Sequence, residues 1–264
     1  MARANKRPRD NRYDRIVIDD SNDAVVRPDT VRVKVEVPPG RVSMRSYFST
    51  YMLWAARDFA SKAAAIETSH KGESRFDLEH RAYVLGAVTS AAGFLEAMIN
   101  ELFQDAHDNH GIKDDGYIAP LPQRTRQLMA GWWAASGEGF EPVLEKYQLL
   151  LLFADQPRLE KGAEPYQSAD LLIRLRNALI HYKSESVSAD VEHRFTKGLR
   201  GRFHDNRLTE GSGNPWWPDH ALGAGCAKWA FESAEALADV VSDAVQISPN
   251  YRRHQQTWFA HKAH

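Results

Sequence analysis

The segment from Asp77 to His107 most constrains how this chain can fold. Leu85, Val88, Ala92, Leu95, Ile99 and Phe103 recur at intervals of three and four, which gathers them on one face of a helix. Asp77 is the expected N-cap. Gly86, Ala87, Ser90, Ala91, Ala92 and Gly93 leave little bulk in the middle of the segment. A second helix can therefore approach closely there. A long helix with one apolar face must bury that face against other elements, and the rest of the chain offers helices.

A helix is expected from about Ser46 to Thr68, with Tyr47, Tyr51, Trp54, Phe59 and Ala63 supplying its apolar stripe. Another covers about Asp219 to Ile247 through Trp229, Leu237, Val240, Val241 and Ala244, and Pro249 stops it. Shorter helices fit Gln123 to Ala135, Pro142 to Phe153 and Ser168 to Tyr182. Glycine-rich breaks fall at Gly72, at Gly111 and Gly116, and over Gly211-Ser212-Gly213-Asn214-Pro215. The expectation is an all-α domain over residues 45–247, a bundle of about four to six helices.

Residues 1–44 read differently. A polar, mixed-charge tail runs to about residue 27, where disorder is expected. Its basic start reads either as a solvated tail or as an arm for RNA or a partner. Val31, Val33, Val35 and Val37 then alternate with Arg32, Lys34 and Glu36, the period of a strand, before Pro38-Pro39-Gly40 ends it. One strand cannot stand alone, so an extended arm is expected. Residues 248–264 are polar and rich in His and Arg, and a mobile tail is expected there.

The formal net charge of −1 gives no global field toward nucleic acid or a membrane, so any RNA site must be a local basic patch. Cys226 is the only cysteine, which excludes an intramolecular disulfide. The charged start at Lys6, Arg7 and Arg9 is unlike a secretory signal, and no apolar run approaches the ~20 residues of a membrane span. A cytoplasmic protein without membrane attachment is expected.

Chemistry concentrates in Arg176-Asn177-Ala178-Leu179-Ile180-His181. Leu171, Leu172, Leu175, Ala178 and Leu179 are expected to form the core face of this helix, leaving Arg174, Arg176, Asn177 and His181 outside it. His181 lies four residues after Asn177, so Asn177 can hydrogen-bond the ring and fix its tautomer. Arg176 lies about 140° around the helix from His181, and its long side chain can swing toward a phosphate near the imidazole. A guanidinium suits phosphate oxygens, and an imidazole suits proton transfer near neutral pH. Together they fit metal-independent RNA cleavage. A base removes the ribose 2′-OH proton, the oxygen attacks the adjacent phosphorus, and an acid protonates the departing 5′ oxygen. Arg176 would stabilise the charge growing on the phosphate.

This segment resembles the Arg-Asn-x-x-x-His motif of the HEPN superfamily. The upstream run Leu95-Glu96-Ala97-Met98-Ile99-Asn100 is similar to a pattern common in that family's first long helix. The resemblance covers roughly residues 45–247 and is carried by these two segments. It implies a HEPN-like helical bundle and a homodimer that joins two motifs in one cleft. It also implies a metal-independent endoribonuclease of a toxin–antitoxin or anti-phage system, with an antitoxin or defence partner protein. Arg176 and His181 map to the catalytic pair, and Asn177 to the polar residue that follows the Arg. HEPN toxins regulated by nucleotide transfer often carry a Tyr two residues after the His. Here Lys183 holds that position and Tyr182 directly follows His181. The same resemblance also admits a non-catalytic HEPN module assembling with a regulatory partner or an ATPase.

Other residues extend the expected site. Glu96 and Asn100 share a helix face, from which they either support Arg176 and His181 or form a generic polar network, and Tyr182 adjoins them. Arg174, Lys183, Arg194, Lys197, Arg200 and Arg202 are the candidate RNA-binding cations. Trp216 and Trp217 either stack on bases or pack on the bundle. His107, Asp108 and His110 lack a convincing third ligand partner, and neither a Walker loop nor a Gly-x-Ser-x-Gly elbow occurs, so no metal or cofactor is expected.

Overall fold

The computed structural model describes residues 45–109, 116, 118–136, 141–187 and 192–252. Among them the chain is all-helical, with no strand. The expected Val31–Val37 strand and the residues from 253 lie outside the described residues.

Seven α-helices follow in order: α1 (Ser49–Ser69), α2 (Leu78–Asp108), α3 (Gln123–Ala135), α4 (Val143–Phe153), α5 (Tyr166–Ile180), α6 (Arg194–Leu199) and α7 (Ala224–Ala244). α2 is the central element and packs against α1, α3, α4, α5 and α7. Val84, Val88, Ala91, Leu95, Ile99 and Leu102 line its fully buried stripe. Asp77 caps it through a 2.9 Å hydrogen bond from the His80 N–H. By length and mean hydropathy α2 would also pass as a membrane span, yet half of that apolar window is buried inside the bundle. Helix–helix packing thus accounts for its apolar character.

α1 lies antiparallel to α2. Ser49 meets Glu101 at one end, Phe59 lies over Gly86 in the middle, and Glu67 meets His80 at the other end. A Cβ on Gly86 would stand 2.8 Å from the Phe59 ring. α1 contributes Leu53, Ala56, Ala60 and Ala63 to the interface. The expected aromatic stripe is corrected accordingly: Tyr51 is 66% and Trp54 44% exposed. Close approach selects the small residues there, so Tyr51 and Trp54 turn outward, while Tyr47, Phe59 and Ala63 of that stripe pack on the core.

Two helix starts are capped from a distance. Neither Phe48 nor Gly223 offers a side-chain cap to the helix it precedes. Glu101 instead takes the Ser49 N–H at 2.9 Å and hydroxyl at 2.6 Å. Glu67 Oε1 takes the Ala224 N–H at 2.6 Å and lies 2.8 Å from His80 Nε2. Each carboxylate sits where unsatisfied N–H groups and the helix dipole favour negative charge. Toward the other end of the chain, Tyr251 packs edge-on against Phe94, and Arg252 pairs with Asp239 and Asp243. Residues 248–252, expected to open a mobile tail, are therefore held on the bundle.

Gly223 and Gly225 let the 204–206 segment lie against the start of α7. A Cβ on Gly223 would stand 2.6 Å from Asn206 Cα, and one on Gly225 would meet the His204 backbone. Gly131, inside α3, has nothing within 4 Å. Gly225→Ala should lower stability by about 1–3 kcal/mol through overpacking. Gly131→Ala should raise it by up to about 1 kcal/mol through helix propensity. Urea unfolding of both variants checks this, and shifts of the same sign would refute the packing account.

Asp105 on α2 is almost wholly buried, accepts from Tyr47 Oη and pairs with Arg45 at 2.5 Å. Burial pushes its carboxyl up to about 6, although Arg45 and Tyr47 pull the other way. The folded chain thus keeps a proton that the unfolded chain releases near pH ~4. Asp105 ionisation then costs stability as pH rises through that window to about 6. Unfolding of wild type and Asp105→Asn should show the wild-type stability falling relative to the variant between pH 4 and pH 7. A difference independent of pH would rule the shift out.

Candidate functional site

α5 carries the motif. Leu171, Leu172 and Leu175 are buried as expected, with Ala178 and Leu179 partly so. The helix ends at Ile180, two residues earlier than the sequence pattern predicts. His181 is its C-cap, with φ −99° and ψ 33°. The Asn177 carbonyl accepts the His181 backbone N–H at 2.9 Å. No hydrogen bond joins the Asn177 side chain to the His181 ring, which corrects the expected tautomer lock. That lock assumed a continuous helix through 182.

The two principal motif residues face different surroundings. Arg176 points toward α2 and forms a 3.0 Å ion pair with Glu96, as the shared position of Glu96 allowed. The Arg176 side chain is 21% exposed and that of Glu96 46%. Asn100, the other α2 candidate, instead accepts from Lys146 Nζ at 2.7 Å. It supports neither Arg176 nor His181. Burial lowers the Lys146 pKa, while Glu96 and Glu141 raise it less.

His181 lines a groove of about 980 Å³ with Asn177, Arg174, Tyr182 and Lys183. Glu185, Glu192, His193, Arg194, Phe195 and Trp217 line the same groove. Arg176 is not among the lining residues. Arg174 also pairs with Asp170 one turn back at 2.8 Å. Of the remaining expected RNA-binding cations, only Lys183 and Arg194 reach the groove. Arg202 is engaged elsewhere, with Glu164 at 2.7 Å, Gln167 at 2.9 Å and Ser168 at 3.0 Å. Arg200 lies over the Trp216 ring, and Lys197 is exposed on α6. The basic run is folded around a short helix, which spreads its cations over several faces.

Trp216 and Trp217 are both buried, so of the two readings of this pair, packing is the one the structure carries. Trp217 stacks flat on His193, with centroids 5.1 Å apart and planes 3° from parallel, and lies 4.8 Å from Phe195. His193 caps α6: its Nδ1 accepts the Phe195 N–H at 3.3 Å. Its Nε2 lies 3.2 Å from Glu185 Oε1, to which Trp217 Nε1 also donates at 3.4 Å. Sequence reasoning did not place Glu185 or His193 in the site. The N-cap position of His193, just before the apolar Phe195, was the only available signal.

A second cavity of about 960 Å³ lies between α1 and the start of α7, bordered by Arg57, Glu67, His204, Arg207, Lys228 and Phe231. It shares no residue with the motif groove. Compared with protein-family models, curated proteins and solved structures, the chain matches none.

Partly exposed ion pairs contribute about 0–1 kcal/mol. Arg176→Ala and Glu96→Ala should therefore each cost no more than about 1 kcal/mol of stability, with a coupling energy of about 0.5 kcal/mol in a double-mutant cycle. A loss of several kcal/mol in Arg176→Ala would assign that residue to the fold instead of to the site.

Proposed function

We propose that this chain is a metal-independent endoribonuclease on a HEPN-like helical bundle, acting as a homodimer in a toxin–antitoxin or anti-phage system. The observation that carries the reading is the position of His181. It stands at the free end of α5 in a groove that also holds Arg174, Lys183 and Arg194. A phosphodiester drawn in by those cations meets an imidazole there. One imidazole takes the 2′-OH proton; the 2′ oxygen bonds to phosphorus; the P–O5′ bond breaks and the 5′ oxygen receives a proton. The products are a 2′,3′-cyclic phosphate and a 5′-OH.

Cleavage needs an acid and a base. His193 is in the same groove, but both of its ring nitrogens are engaged, by Phe195 and by Glu185. A second protomer supplies the missing imidazole in this reading. Arg176 meets the phosphate either by leaving Glu96 or across the dimer.

A second reading is favoured by that same ion pair. With Arg176 held on the α2 side, the chain is a non-catalytic HEPN module that assembles with a regulatory partner or an ATPase.

The test is cleavage of single-stranded RNA in excess chelator. Wild type should give cyclic-phosphate ends, and Arg176→Ala and His181→Ala should each lose about 10²-fold or more in rate. Equal cleavage by wild type and both variants removes the catalytic assignment. Intact RNA with wild type favours the partner-binding module.

A further inference from the structure

The motif groove contains a feature that phosphate binding does not explain. Its cations Arg174, Lys183 and Arg194 suit an anionic strand, yet Glu185 lines the same groove. A carboxylate beside a phosphate backbone is repelled. It is tolerated in such a place when its oxygens accept N–H groups, because an ionised carboxylate is an acceptor only.

The surroundings hold Glu185 in place. Trp217 is 2% exposed and donates its indole N–H to Oε1. His193 stacks on that indole, and its Nδ1 takes the Phe195 N–H, so the neutral ring carries its proton on Nε2 and gives it to the same Oε1. Two donors on rigid supports thus orient one oxygen. Oε2 takes no hydrogen bond among the described residues, and the Glu185 side chain is 38% exposed. One oxygen is anchored and the other is available within the groove that holds His181.

We infer that Glu185 is a specificity-determining residue that reads the RNA base beside the scissile phosphate, and that this base is guanine. The inference rests on the ribonuclease reading given above. Guanine presents N1–H and N2–H side by side, two donors that can converge on the available Oε2. Adenine and cytosine each offer one amino group next to a ring acceptor, whose lone pair would face the carboxylate. The uracil N3–H is flanked by two carbonyl oxygens. Bases of single-stranded RNA are splayed out and expose these edges. Glu192, the other carboxylate of the groove, has no hydrogen-bonding partner among the described residues and lacks any such anchoring.

The test uses short single-stranded oligoribonucleotides that differ at one base: guanine, inosine, adenine, cytosine or uracil. Wild type should cut beside guanine about ten-fold faster in kcat/KM than beside adenine, with inosine, which lacks the 2-amino group, in between. Glu185→Gln should remove about ten-fold at the guanine linkage and leave adenine within about two-fold. Glu185→Asp should keep part of the preference, and Glu192→Gln all of it. A purely structural role for Glu185 would lower all substrates together and leave their ratios unchanged. Cleavage without base preference, or a preference unaltered in Glu185→Gln, overturns this inference and leaves the ribonuclease reading standing. If wild type cuts no RNA, matching His181→Ala, both fall.

Discussion

The buried Glu67 carboxylate ties three helices together. It belongs to α1, meets His80 of α2 at 2.8 Å and takes the first N–H of α7 at 2.6 Å. Burying a carboxylate costs several kcal/mol, which is offset only when its oxygens find donors in good geometry. A helix start and an imidazole supply them here. The arrangement fixes where α7 begins, and the consequence travels. The 204–206 segment lies on Gly223 and Gly225; Asn206 in turn donates to the His220 and Asp219 carbonyls, at 2.8 and 3.1 Å. Arg81 of α2 pairs with Asp219. Trp217 lies just before these anchors in the chain and is one of the residues that line the motif groove.

The long helices were legible because their periodicity reports burial directly. α2 needed only its spacing and Asp77. The core leucines of α5 were equally clear. α1 was located, and Ala63 and Phe59 fall on its packed side, but Tyr51 and Trp54 were misplaced because a hydrophobic scale ranks them above alanine. Helix–helix distance ranks them the other way. The small residues of α2 that announced close approach also imply that the partner presents small residues, as Ala56, Ala60 and Ala63 do. That second step is a property of the pair and is not visible in α1 alone.

The site was legible in part for a related reason. Helical geometry places Glu96 against Arg176, and the sequence pattern allowed it. Asn177 and His181 do remain neighbours in one groove, but a backbone hydrogen bond joins them instead of the expected side-chain one. The basic run 194–207 is dispersed by the fold, with Arg194 alone of its cations in the groove. Its charges read as one patch in sequence, but α6 and the turn after it send Arg202 to Glu164 and Arg200 to Trp216. Linear charge density does not fix a surface unless the backbone conformation is known.

The divided placement of Arg176 and His181 bears on how such a groove can work. Arg176 is on α5 and His181 caps its end, yet one is paired with Glu96 of α2 and the other lines the groove with His193 and Trp217. A single protomer therefore offers a cationic groove, one available imidazole and an anchored carboxylate. Its second imidazole is committed to capping α6 and orienting Glu185. In the ribonuclease reading, proton transfer at two oxygens asks for a second group besides His181, and a second protomer is the proposed source of it. Under that reading the protomer's own part would be to position the strand, with Glu185 selecting the base.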